Sequence, residues 1–340
     1  MQVNLDDYQQ LGVKLANASL IFEAMVNFES SMNVDGDNSK KYELTDETIV
    51  ANSVTLYRIR ALRDFGDIEK GKTGGYIQSE NNLSHNGNAW VCGSAKIYGN
   101  AEICGNAKVS GKALVYDNAM VCDDAEICGN AKVYNNALVY SEAKVSDNAI
   151  VCGDAKVYEY AEANNDAKIC GKATVCGDAI VSGRALLCDE ATVCGDAKIS
   201  GSAKISNYAW VDEDASVSGN AKVNDDSEVH GDAKIYGNAL ISGDAKISGH
   251  VKVSGNAKIY GNAIISGDAI ICDDAEVYGD AKVYEYAKIC GKAKVCGYAM
   301  VCDDVKISGN TEISDNVWAD EDCNNMEFGK TDGGGDGDDE

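Results

Sequence analysis

Proline is absent from this 340-residue chain, and phenylalanine (4), tryptophan (3) and histidine (3) are scarce. Without proline there is no collagen-like or polyproline element. Scarce phenylalanine is expected where the core is narrow and filled by small and β-branched side chains. Three histidines leave little for acid–base chemistry. Basic residues are outnumbered, 30 Lys and Arg against 55 Asp and Glu, for a net charge of −25. That balance speaks against direct binding to DNA or RNA phosphates. No apolar run is long enough to span a bilayer, so no membrane insertion is expected.

What the chain has instead is glycine (35) and a strict beat of six. From Ala89 to Val317 every sixth residue is Ala, except Ser227, Val251, Val305, Thr311 and Val317. Two residues after each comes Val, Ile or Leu, with only Ala163 and Ala319 departing from the rule. Ala-x-Val alternates with period two, so Ala and Val face one side and the residue between them faces the other. Each six-residue unit is therefore one short strand. The Gly-Asn or Gly-Asp pair that follows is turn chemistry, because Gly and Asn tolerate positive φ. Strand plus corner, repeated without helices, must wind into a parallel β-helix, since tight hairpins cannot join parallel neighbours.

The unit Val-x-Gly-Asn-Ala-x resembles the hexapeptide repeat of left-handed β-helix proteins. Upstream, Leu56 to Ile68, then Gly74-Gly75-Tyr76-Ile77, then Glu80-Asn81-Asn82-Leu83-Ser84-His85 resemble the N-terminal cap of the YdcK-like family of bacterial and phage proteins, over about residues 42–319. The resemblance implies an all-β, left-handed parallel β-helix of the kind shared with hexapeptide acyltransferases. Geometry and resemblance together give three units per triangular coil, so 39 units give 13 coils and a rod of roughly 60 Å at ~4.8 Å per strand. Identity one coil apart at the outward Tyr/Cys/Ser position is nearly matched by shuffling those residues, and adds nothing.

Five segments follow: an amphipathic helix over 1–31 (apolar-rich, without the basic leader of a signal peptide), a polar linker 32–41, the cap 42–85, the array 86–319 and a disordered acidic tail 320–340. The stretches 1–85, 86–319 and 320–340 carry −5, −12 and −8. Most Asp residues of the array sit in or beside corners, which turn preference explains, so mimicry of a nucleic acid is the lesser reading.

Thirteen of the 14 cysteines occupy one repeat position, just after the aliphatic residue, at spacings that are multiples of six. That excludes C-x-x-C knuckles, and no metal site is expected. Pairs such as Cys104 with Cys122, Cys176 with Cys194, or the run Cys152, Cys170, Cys188 lie one coil apart. In-register stacking aims their Cβ atoms the same way, which predicts free thiols and a reducing, cytoplasmic setting. Gly66 to Thr73 satisfies the G-x-x-x-x-G-K-T phosphate-loop pattern, but the next residues lead into strands where the mechanism needs a helix. A turn in the cap is the expectation.

The family's acyltransferases place a catalytic His between subunits of a trimer. Here His85 falls at the cap junction, His230 at the outward position after an aliphatic residue, and His250 at a corner. His230 is the weak catalytic candidate, with Asp212 one coil earlier to orient it. The uninterrupted beat leaves no loop to wall off a coenzyme A site, so catalysis is disfavoured and no cofactor is expected. Acetyl-CoA enters only under the acyltransferase alternative. One strip carries little charge: Met120, Leu138, Thr174, Thr192 and Trp210, beside Cys122, Tyr140, Tyr158, Cys176 and Cys194. It is the expected docking face, for a homo-oligomer (a trimer) or a protein partner. The reading is a non-catalytic structural or binding solenoid.

Overall fold

The computed structural model describes residues 40–319. The helix expected over 1–31, nearly all of the linker and the tail 320–340 lie outside the described residues. Thirty-nine two-residue strands, from Trp90–Val91 to Trp318–Ala319, recur every six residues. They form three parallel sheets. Two have 13 strands, beginning at Trp90 and Glu102, and the third has 16 because three strands of the cap extend it. Each strand pairs with the one 18 residues on, as Lys132 with Ile150 and Val133 with Val151. Three units therefore make one coil of a three-faced solenoid.

Alternation sets the packing. Ala125 and Ile127 are fully buried in the lumen, as are nearly all their counterparts along the array, while the residue between them faces out. Each inward Val or Ile contributes roughly 2 kcal/mol on burial, against a backbone ordering cost of similar size. Backbone amides run coil to coil, for example Lys132 N–H to the Ala149 carbonyl at 2.9 Å.

Corners require positive φ. Gly105 takes φ +64°, and a Cβ there would lie 2.7 Å from the Asp123 amide nitrogen of the next coil. At other corners a polar residue accepts that conformation, as Asp117 (φ 60°), Asp147 (φ 57°) and Asp273 (φ 62°) do. Each offsets the strain with a bond glycine cannot make, its carboxylate accepting the corner N–H of the coil above: Asn135 (3.2 Å), Asn165 (3.0 Å) and Gly291 (3.0 Å) respectively.

The residue after the corner builds ladders. Asn100 donates to Asn118, Asn118 to Asn136 and Asn136 to Asp154, at 3.0, 3.0 and 2.8 Å. Asn130, Asn148 and Asp166 repeat the pattern, as do Asn220, Asn238, Asn256 and Asp274. Each ladder runs through Asn amides, which both accept and donate, and stops on an Asp, which only accepts.

The cap is a hairpin and one turn of its own. β1 (Tyr42–Ala51) and β2 (Val54–Ala61) pair antiparallel, and β3 (Thr73–Ile77) pairs antiparallel to β2 but parallel to Lys96–Ile97. Ile77 sits against Ile97 and Leu83 against Ile103, both separated by 20 residues, so this turn is two residues longer than the repeat. It brings the solenoid to 14 turns, one more than the array alone supplies. The end of the lumen is plugged by Lys41, whose Nζ donates to the carbonyls of Ala89, Gly87 and Asn86 at 2.9, 3.3 and 3.4 Å, 5.0 Å from the Phe65 ring centre. Burial, then the Arg63 charge, push the Lys41 ammonium down to about 7. Tyr42 stacks on His85 at 4.3 Å and donates to the Leu83 carbonyl at 2.7 Å.

Candidate functional site

His230 stands in its column directly above Asp212, and the two are brought together as their separation of 18 predicts: Nδ1 meets the Asp212 carboxylate. The other nitrogen, Nε2, faces Glu228 at 3.3 Å, and Lys246 closes the cluster on Glu228 at 3.1 Å. Trp210 lies edge-on at 6.1 Å. Burial pushes the imidazole down, but the hydrogen bonds it donates to Asp212 and then Glu228 outweigh this and raise its pKa to about 9. The Glu228 carboxyl is held low by the His230 hydrogen bond and then, against the opposing effect of burial, by Lys246. At neutral pH this is an imidazolium with a carboxylate on each nitrogen. It has no lone pair with which to take a proton from an acceptor hydroxyl or amine.

The other two histidines are likewise engaged. His250 Nδ1 lies 2.7 Å from Asp232, again one coil earlier, and His85 Nδ1 accepts the Lys41 amide at 3.2 Å inside the cap. The phosphate-loop match at 66–73 runs straight into β3, with Phe65 bridging to Ile68 and Lys70 N–H donating to the Asp64 carboxylate at 2.7 Å. It is a strand-to-strand turn whose Asp67 pairs with Lys108.

The low-charge strip divides into two layers. Cys122, Tyr140, Tyr158 and Cys176 form a lateral cluster of their own, exposed by 8%, 4%, 2% and 6%. Tyr140 and Tyr158 stack with ring centres 4.9 Å apart, close to the strand spacing, so each ring covers the next. Expected as surface, these side chains are packed against Cys104, Met120, Leu138 and Cys194. Burial holds the Tyr140 hydroxyl well above its ordinary range. Met120, Leu138, Thr174, Thr192 and Trp210 remain half-buried on the outside. The Trp210 indole N–H finds no acceptor among the described residues. Sequence patterning marked this strip but could not tell which of its columns would be covered.

The thiol expectation needs correction. Among the described residues, Cys176 is bonded to Cys194 and Cys272 to Cys290, with Cα atoms 4.6 and 4.7 Å apart, while others, among them Cys104, Cys122, Cys152, Cys170 and Cys188, form no disulfide. Parallel Cβ directions do not prevent a bridge at this spacing, because rotation about Cα–Cβ swings the two sulfurs together. The inference to a reducing compartment loses its basis at these positions. Among the described residues, Cys272, Asp273 and Cys290 have metal-like spacing, within 4.8 Å, but two of the three are spent on each other as a disulfide. No helix among the described residues is long and apolar enough to cross a membrane.

An open trough of about 870 Å³ lies on the Lys108 sheet beside the cap, bordered by Asp67, Glu126, Lys144, Tyr160, Glu162 and Asp178 among others. It contains no histidine and none of the residues around His230. Among curated proteins none matches the chain. Residues 257–273 match the family described as the YdcK Beta solenoid repeat. Those 17 residues are one coil less a single residue, and the same unit recurs in register from Trp90 to Ala319. The chain is a β-solenoid protein, and residues 257–273 within it match the YdcK-type repeat.

Proposed function

We propose that this protein is a non-catalytic solenoid that presents the outer strip from Met120 to Trp210 to a second copy of itself. The observation that supports it most is the unbroken six-residue beat over 39 strands. No inserted loop encloses a coenzyme-sized cleft along it, and the best-placed histidine is a charged, doubly paired cation. At −25 the chain repels its own copies over most of its surface. Close approach is favoured where charge is low. The strip offers Met120, Leu138, Thr174, Thr192 and Trp210 with Lys156 as its one cation, half-buried between them.

The acyltransferase alternative rests on the meeting of His230 with Asp212, the orienting contact such an enzyme would need. Glu228 on the other nitrogen opposes it. Calorimetric titration of the full chain with acetyl-CoA separates the two readings. The non-catalytic reading predicts no saturable heat at millimolar ligand, and a saturable isotherm that disappears in His230→Ser would overturn it.

A further inference from the structure

We propose that Cys152, Cys170 and Cys188 form a thiol–disulfide exchange site, along which a single disulfide moves after oxidation by a small disulfide of the glutathione type. The strands ahead of them pair in register, Ile150 with Lys168 and Lys168 with Leu186, so the three cysteines stand above one another on successive coils. Their amides follow the common pattern, Cys152 N–H to the Ile169 carbonyl and Cys170 N–H to the Leu187 carbonyl, both at 2.9 Å. The same relation is already bonded at Cys176–Cys194 and Cys272–Cys290. The spacing therefore accepts a disulfide without backbone movement. All three thiols of the run are free.

An odd number distinguishes this column. Two of the three can bond, and the third is left beside the bond as an attacking group. Exchange proceeds when a thiolate attacks one sulfur of a disulfide and expels the other. Because the column follows the rod axis, Cys188 and Cys152 flank Cys170 from opposite sides, which suits attack on its sulfur with departure on the far side. Cys170 and Cys188 are half-buried whereas Cys152 is 6% exposed, so a reagent enters from the Cys188 end.

The chemistry balances as follows. Cys188 thiolate attacks glutathione disulfide and releases one glutathione thiolate. Cys170 thiolate attacks the Cys188 sulfur of that mixed disulfide and releases the second glutathione, leaving Cys170–Cys188. Two electrons have passed to glutathione and two protons from the protein thiols to water and the departing thiolates. Cys152 thiolate then attacks Cys170, giving Cys152–Cys170 and a Cys188 thiolate that takes up the proton Cys152 lost. Burial and then the Asp189 carboxylate, 3.3 Å from its sulfur, hold the Cys188 thiol up to about 11. At neutral pH little of Cys188 is thiolate, so its attack is slow and calls for glutathione disulfide in excess.

The test is oxidation of the full-length chain with excess glutathione disulfide, alkylation under acid, and mapping of cross-linked peptides by mass spectrometry. Expected are two links in the wild type, Cys152–Cys170 and Cys170–Cys188, with none between Cys152 and Cys188, which lie two coils or about 9 Å apart. C152S should show only Cys170–Cys188, and C170S and C188S neither link, C188S because the entry thiol and the Cys170–Cys188 bond that Cys152 attacks are both missing. Serine stands in this same column at Ser206 and Ser242, so the variants keep a residue the fold already uses, and circular dichroism verifies it. Three thiols that all remain alkylatable, a single link in the wild type, or a Cys152–Cys188 link would overturn the proposal.

Discussion

A histidine at neutral pH is usually close to its own titration, but His230 is displaced upward by its two carboxylate neighbours. Its folded pKa of about 9 lies above the ordinary 6.5. A raised pKa of this kind contributes stability that is fully present below about 6.5 and is lost as pH climbs through about 9. Comparison with His230→Ser isolates the effect, since Ser248 occupies the same column one coil on. The melting temperature of the wild type should exceed that of the variant most at pH 6, and the gap should shrink by pH 10. A gap independent of pH would mean that the Asp212 and Glu228 contacts do not hold in solution. The Asp212 pairing was legible in the sequence because it depends only on a spacing of 18. Glu228 was missed although it lies two residues away on the same outward side, where period-two alternation puts it beside the imidazole.

Among the elements, the ladders carry a direction that composition hides. Asn118 both accepts from Asn100 and donates to Asn136, so Asn118→Asp removes a donor and sets a carboxylate against an amide oxygen. Asp154 ends the same ladder and only accepts. Urea denaturation should show Asn118→Asp destabilised by about 1 kcal/mol, with Asp154→Asn nearly neutral. Equal losses would show that the ladder has no such polarity. The cap makes a second test. Lys41→Met leaves the carbonyls of Ala89, Gly87 and Asn86 without that donor, so hydrogen exchange should quicken over the first coil, about residues 89–105, and remain unchanged beyond residue 200, because each coil contacts only its neighbours. The strands and corners could be read from the six-residue beat, since inward Ala and aliphatic residues leave one register. The fourteenth turn could not. Its 20-residue spacing breaks the period, and Leu83 joins the stack only through a single bridge to Ile103.

For the whole molecule, regularity decides what kind of function is available. The thirteen stacked coils of the array, at ~4.8 Å each, give a rod with three faces around a lumen filled by the buried Ala and aliphatic columns. The acid excess of the array has local work to do, in corner carboxylates that hold the coil above and in Asp residues that end ladders. The strip proposed for docking was only half legible from the sequence. Outward position does not imply exposure when Tyr140 and Tyr158 stack flat against one another, so what remains for a partner is Met120, Leu138 and Trp210 with the threonines between. Light scattering on the full chain, comparing wild type with the double variant Met120→Lys, Leu138→Lys, tests this most directly. The account predicts a wild-type mass that is a multiple of 35.9 kDa and a variant at 35.9 kDa itself. Equal masses for the two proteins would contradict it.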